Sequence, residues 1–100
     1  MRVTFVQSGG VVGAVRGCDL DTAALSPEEA RELESLVLAS GLAASGEFLS
    51  PGRRDLRLYE IAIESGTGRL AVKFDDQTLP EQVRPLVSFL RRNAKPHARG

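Results

Sequence analysis

Leu20-Asp21-Thr22-Ala23-Ala24-Leu25-Ser26-Pro27-Glu28 and Phe74-Asp75-Asp76-Gln77-Thr78-Leu79-Pro80-Glu81 write one boundary twice. In each copy an apolar residue and an aspartate close one pattern, and a leucine followed by a proline and a glutamate opens another. The pattern that precedes each copy is that of a hairpin, and the one that follows is helical. The chain therefore divides into two hairpin-helix modules.

The helix after the first copy carries several start signals that agree. Ser26 is placed as N-cap, Pro27 occupies the first helical position, where its missing N–H costs nothing, and Glu29 stands three residues after the cap as the second half of a capping box. Ala30, Leu33, Leu36 and Val37 recur at helical spacing, Arg31, Glu32 and Glu34 take the outer side, and Gly41 ends the segment. After the second copy, Thr78 and Glu81 have the spacing of another capping box, and Val83, Leu86, Val87 and Leu90 form the apolar stripe. Arg91 and Arg92 suit the negative end of that helix's dipole. Pro85 would remove a backbone hydrogen bond from a second turn. The spacing thus predicts a short turn over 80–84 and a helix that begins near Pro85.

Upstream of each boundary the period changes from helical to two. Residues 2–7 alternate, with β-branched or aromatic side chains at Val3, Thr4, Phe5 and Val6. Ser8-Gly9-Gly10 then turns the chain, and Val11 to Arg16 is expected to return as the second strand, with Gly13 as a bulge or close approach. In the second module Tyr59, Ile61 and Ile63 fall on one face of a strand. Gly66-Thr67-Gly68 turns, and Leu70, Val72 and Phe74 return on the same face while Arg69, Ala71 and Lys73 point away. The expected fold is α+β with the order β-β-α-β-β-α, a four-stranded, mainly antiparallel sheet with two helices packed on one face. A single domain is expected over residues 1–92, and a flexible basic tail over 93–100. Residues 42–55 form the least regular stretch, of a length that in a compact domain is more often functional or mobile than a mere connector.

Composition narrows the function classes. The 100 residues are 42% hydrophobic, with 13 basic and 13 acidic side chains, enough for one core and no net field to draw in nucleic acid or an anionic membrane. No apolar run reaches the roughly 20 residues that span a bilayer, and no secretory leader develops before the glycines at 9 and 10. A cytoplasmic protein is expected, without membrane or nucleic-acid partners. The basic clusters Arg53-Arg54 with Arg57, and Arg91-Arg92 with Lys95 and Arg99, lack interleaved aromatics and read as solvated faces.

A catalytic constellation is missing from the pattern. The one histidine, His97, stands in the tail, where nothing rigid would hold it against a substrate. The one cysteine, Cys18, has no histidine in the pattern beside it and reads as a small buried hydrophobe. Asp75-Asp76 read as caps and dipole partners, because the remaining ligands of a calcium loop are absent. Gly9-Gly10 with Gly13 lacks the spacing and following helix of a phosphate cradle. No enzyme, no metal and no cofactor are expected.

The opening strand with Val3 and Phe5, the turn Ser8-Gly9-Gly10 with Gly13 after it, and Leu25-Ser26-Pro27-Glu28-Glu29-Ala30 together resemble the emfourins. The Tyr59 strand and the closing Pro80-Glu81-x-x-Arg84-Pro85-Leu86 extend the likeness over about residues 2 to 92. Emfourins are small bacterial inhibitors of protealysin-like metallopeptidases, zinc enzymes of the thermolysin type. The resemblance implies an inhibitor that forms a tight complex with such a peptidase and occludes its active-site cleft.

Two segments qualify to enter a cleft. One is the glycine hairpin, Ser8, Gly9, Gly10, Val11 and Val12, where adjacent valines cannot both face the core of a single sheet. The other is the irregular loop, whose Leu42, Phe48 and Leu49 would suit a hydrophobic specificity pocket. Each has a structural alternative, Val12 in the core and Phe48 with Leu49 tucked beneath the loop. A carboxylate of Asp19 or Asp21 reaching the zinc is a further candidate, with capping the preferred role. A non-inhibitory interaction module or adaptor, binding through a free sheet edge, is the competing function. The free chain is expected to be a monomer.

Overall fold

A computed structural model describes residues 1–9, 15–52 and 56–96. Its elements are β1 (Arg2–Gly9), β2 (Arg16–Asp21), α1 (Pro27–Ser40), β3 (Gly46–Phe48), β4 (Arg57–Ser65), β5 (Gly68–Asp75), a single 3-10 turn (Glu81–Val83), α2 (Arg84–Asn93) and β6 (Lys95–Pro96).

Both copies of the boundary adopt the same local structure, and for the same reason. Asp21 and Asp75 each end a strand, and each turns its carboxylate back onto the N–H two residues on, at 2.9 Å for Ala23 and 2.8 Å for Gln77. This Asx turn supplies an acceptor just where the strand ladder stops, and it aims the chain at the helix that follows. The Ser26 N-cap forms as expected, with Glu29 N–H donating to Ser26 Oγ at 3.2 Å, while the Glu29 carboxylate accepts from the Ser26 hydroxyl at 3.0 Å in place of the backbone N–H that a full capping box would use. Gly41, at φ 72°, closes α1 in the left-handed conformation that glycine reaches without strain. The second box does not form. Pro80 takes the capping position with no side-chain bond, and Thr78 Oγ1 instead accepts from Asp75 N–H at 2.9 Å. The turn at Glu81–Val83 and a helix that starts at Arg84 match the effect foreseen for Pro85.

The structure corrects the expectation of four mainly antiparallel strands in the order β-β-α-β-β-α, since β3 stands between α1 and β4 and β6 follows α2. The sheet is mixed and six-stranded, in the order β3-β5-β4-β1-β2-β6. Strand β3 pairs parallel with β5, setting Phe48 beside Phe74, and β6 pairs antiparallel with β2, setting Lys95 beside Gly17. Neither strand is long enough to show an alternating pattern, and the ladder on the neighbour creates each one. Pro96 is tolerated in β6 because an edge strand need not donate from every residue. The second strand covers Arg16–Asp21, extending beyond the expected Val11 to Arg16, of which residues 11–14 lie outside the described residues. Its core face holds only Cys18 and Leu20, and the intervening glycine and charges hide the alternation.

The centre of the sheet is the antiparallel pair β1 and β4, with Phe5 beside Ile61 and Val3 beside Ile63. Val3, Phe5, Tyr59, Ile61, Ile63, Val72 and Phe74 are buried in one cluster with Leu33 of α1 and with Leu86, Val87, Phe89 and Leu90 of α2. Full burial of such a side chain is worth about 1.5–3 kcal/mol. Helix α2, with its run of fully or nearly fully buried residues, is therefore docked more firmly than α1, whose Leu36 and Val37 are half-buried.

Candidate partner-binding site

Strand β1 runs toward the end of the sheet where β4 begins, so Gly9 pairs with Arg57. Strand β5 reaches the same end at Asp75, and β3, parallel to it, delivers Phe48 and then Leu49 there. The described parts of the two candidate segments, Ser8 and Gly9 of the glycine hairpin and Phe48 and Leu49 of the irregular loop, thus lie at one end of the sheet. Gly9 lies at φ 82°, and a Cβ on it would come within 2.7 Å of the Leu56 carbonyl oxygen. Only glycine permits that approach. Gly10, Val11 and Val12 lie outside the described residues.

The side chains here divide by exposure. Phe48 stacks on Phe74 with ring centroids 5.4 Å apart and planes 17° apart, yet stays 50% exposed. Leu49 is 42% exposed. Leu42 is half-buried against the core, and an apolar dent of about 290 Å³ lies between it, Phe48 and Phe74. Ser8 is half-buried in β1. Phe48 and Leu49 are therefore presented to solvent rather than folded beneath the loop, while Leu42 belongs largely to the scaffold.

Sequence reasoning missed how this end is held. Asp75 is buried, with 2% of its surface exposed, and its carboxylate accepts from Ser50 N–H at 2.5 Å, Gln77 N–H at 2.8 Å and Thr78 N–H at 3.0 Å. Ser50 Oγ adds a fourth bond at 3.2 Å. Burial alone would raise the pKa of this group, but the donors from Ser50, Gln77 and Thr78 outweigh it and bring the pKa down to about 2. Asp76 accepts from Arg57 N–H at 2.9 Å and from the Tyr59 hydroxyl at 2.5 Å. Burial first, and then the bond to Asp76, push the Tyr59 phenol above its ordinary value. One signal was available: a tyrosine on a core-facing strand position needs a partner for its hydroxyl.

The carboxylates considered for zinc contact lie elsewhere. Asp19 pairs with Arg2 at 2.5 Å and Asp21 caps its own turn at 2.9 Å. Arg2 and Gly9 are the two ends of β1, about 23 Å apart at roughly 3.3 Å per residue. Among the described residues no three His, Cys, Asp or Glu side chains group as metal ligands, and no helix is long and apolar enough to cross a membrane. The outer face of the sheet carries a shallow groove of about 650 Å³ over Thr4, Val6, Ala62 and Ala71, bordered by the Lys73–Glu60 ion pair at 2.9 Å.

Comparison with known proteins adds one finding. The family model described as Emfourin matches residues 5–91, from the first core phenylalanine to the last turn of α2. No curated protein and no solved structure matches the chain.

Proposed function

The chain belongs to the Emfourin family, and on that premise we propose that it inhibits a thermolysin-type zinc metallopeptidase of the protealysin-like kind by binding tightly over the active-site cleft. The observation that carries this is the end of the sheet where Gly9 and the Leu49 segment meet. There Leu49 stands exposed beside Ser50, whose N–H is tied to the buried Asp75 carboxylate, while Asp76, bonded to the buried Tyr59, holds Arg57. A segment ordered before it binds loses little conformational freedom in the complex, which is how small domains block a cleft without doing chemistry themselves. The free chain is in this reading a cytoplasmic monomer that requires no metal or cofactor.

The test is titration of a purified protealysin-like peptidase with the chain while hydrolysis of a peptide substrate is followed. Activity should vanish near equal concentrations, and loss of inhibition across several such enzymes would overturn the proposal. A second reading has one observation in its favour. Among the described residues strand β6 pairs with only Arg16 and Gly17 of β2, and no strand lies along the edge from Cys18 to Asp21, where one could be added. An adaptor binding there would leave peptidase activity unchanged.

A further inference from the structure

We propose that Asp75 and Asp76 are the positioning residues for the exposed Leu49, two adjacent carboxylates that tie the stems at Ser50 and at Arg57 to the end of β5. This rests on the inhibitory function proposed above and names what makes the segment competent.

The two side chains leave the chain at neighbouring positions and serve opposite stems. Asp75 holds the entering stem through Ser50 N–H at 2.5 Å and Ser50 Oγ at 3.2 Å, a contact spanning 25 residues of sequence. Asp76 holds the leaving stem through Arg57 N–H at 2.9 Å, spanning 19 residues. Its second oxygen accepts from Tyr59 at 2.5 Å, and Tyr59 is 3% exposed in the core. The leaving stem is thus fixed, through one carboxylate, to the packed interior.

The first copy of the boundary shows that these long-range bonds are not needed for the turn itself. Asp21 makes the same Asx turn onto Ala23, and Thr22, which stands where Asp76 stands in the second copy, bonds among the described residues only to Met1. That module turns and enters its helix with no side-chain bond from Asp21 or Thr22 to another described loop. What the second copy adds is the clasp on Ser50 and Arg57, and it adds it beside the exposed Leu49. Stems held in this way bring Leu49 to a peptidase in a fixed position, and a protease cleaves a backbone so held slowly because it resists being pulled into an extended substrate conformation.

The test compares Tyr59→Phe, Asp76→Asn and Ser50→Ala with the parent chain against a thermolysin-type peptidase that the parent inhibits. Tyr59→Phe keeps the ring in the core and removes one bond of the clasp, so it serves even where Asp76→Asn fails to fold. Ser26→Ala, which loses the cap of α1 at the other end of the sheet, is the matched control for stability alone. The readouts are the dissociation rate, the thermal midpoint and mass spectrometry of the chain after incubation with the enzyme. Clasp variants should dissociate about tenfold faster or more and be cut between residues 49 and 57, turning the inhibitor into a substrate. The Ser26→Ala chain should lose thermal stability yet dissociate like the parent and stay intact. Parent-like dissociation and an uncut chain in Tyr59→Phe and Asp76→Asn would overturn the clasp while leaving inhibition standing. A parent chain that does not inhibit would overturn both.

Discussion

The α-carbon of Gly9 faces the carbonyl of Leu56 so closely that a Cβ there would lie 2.7 Å from the oxygen. At φ 82° the same position also disfavours any L side chain. Gly9→Ala is therefore expected to destabilise the domain by about 1–3 kcal/mol, combining backbone strain with a displaced stem. A lowered urea midpoint with an unchanged slope would show it. A midpoint equal to the parent's would mean that β1 and the Leu56 stem separate freely.

Phe48 and Leu49 separate stability from binding. Phe48→Ala removes a half-exposed ring from its stack on Phe74, so a loss of about 1–2 kcal/mol is expected in thermal or urea unfolding. Leu49→Ala removes little packing and should stay within about 0.5 kcal/mol of the parent. If Leu49 enters the cleft, its inhibition constant should nevertheless rise about tenfold or more. Leu38 of α1, 84% exposed, is the control, and Leu38→Ala should change neither quantity. Unchanged inhibition by both Phe48→Ala and Leu49→Ala would remove this segment from the contact surface.

Asp75 links stability to pH with a definite sign. Its pKa is held at about 2, below the ordinary 3.8. The carboxylate therefore stabilises the fold fully above about pH 4, and that contribution disappears as pH falls through 2. The gap in thermal midpoint between the parent and Asp75→Asn should be widest at neutral pH and close progressively from pH 4 toward pH 2. Unfolding of both chains across this range checks it, and a gap that stays constant with pH would contradict the assigned hydrogen bonds.

Cys18 is expected to be inert in the folded chain. Burial, and then the charge of Asp19, push its thiol up to about 11, and its Sγ approaches the Leu90 carbonyl at 3.5 Å. Only the thiolate attacks, so reaction with a disulfide reagent at pH 8 should be roughly tenfold or more slower than for a free thiol. Urea should abolish the difference. Fast modification of the native chain would show that β2 and α2 open readily.

Much of the fold can be read along the chain because it is written in local chemistry. The Ser26 cap, the turn forced by Pro85 and the inward set Tyr59, Ile61 and Ile63 all depend on residues within a few positions of one another, and periodicity or capping reports them directly. The candidate site divides on the same principle. Phe48 and Leu49 stand out as apolar residues in an irregular stretch, whereas Asp75 and Asp76 read along the chain as caps and dipole partners. Their turn role is local, and their reach to Ser50 and Arg57 is not.

By itself, then, the sequence determined the twice-written boundary, the helices that follow it and the faces that enter the core. Tertiary structure decided the number of strands, since β3 and β6 exist only through the ladders of β5 and β2. It also decided that Gly9 and Leu49 share one end of the sheet and that a single Asp-Asp step holds both stems between them. A hydrogen bond across 25 residues, such as that from Ser50 to Asp75, leaves no period, cap or composition in the chain. It is set by where packing of the core brings the strand ends.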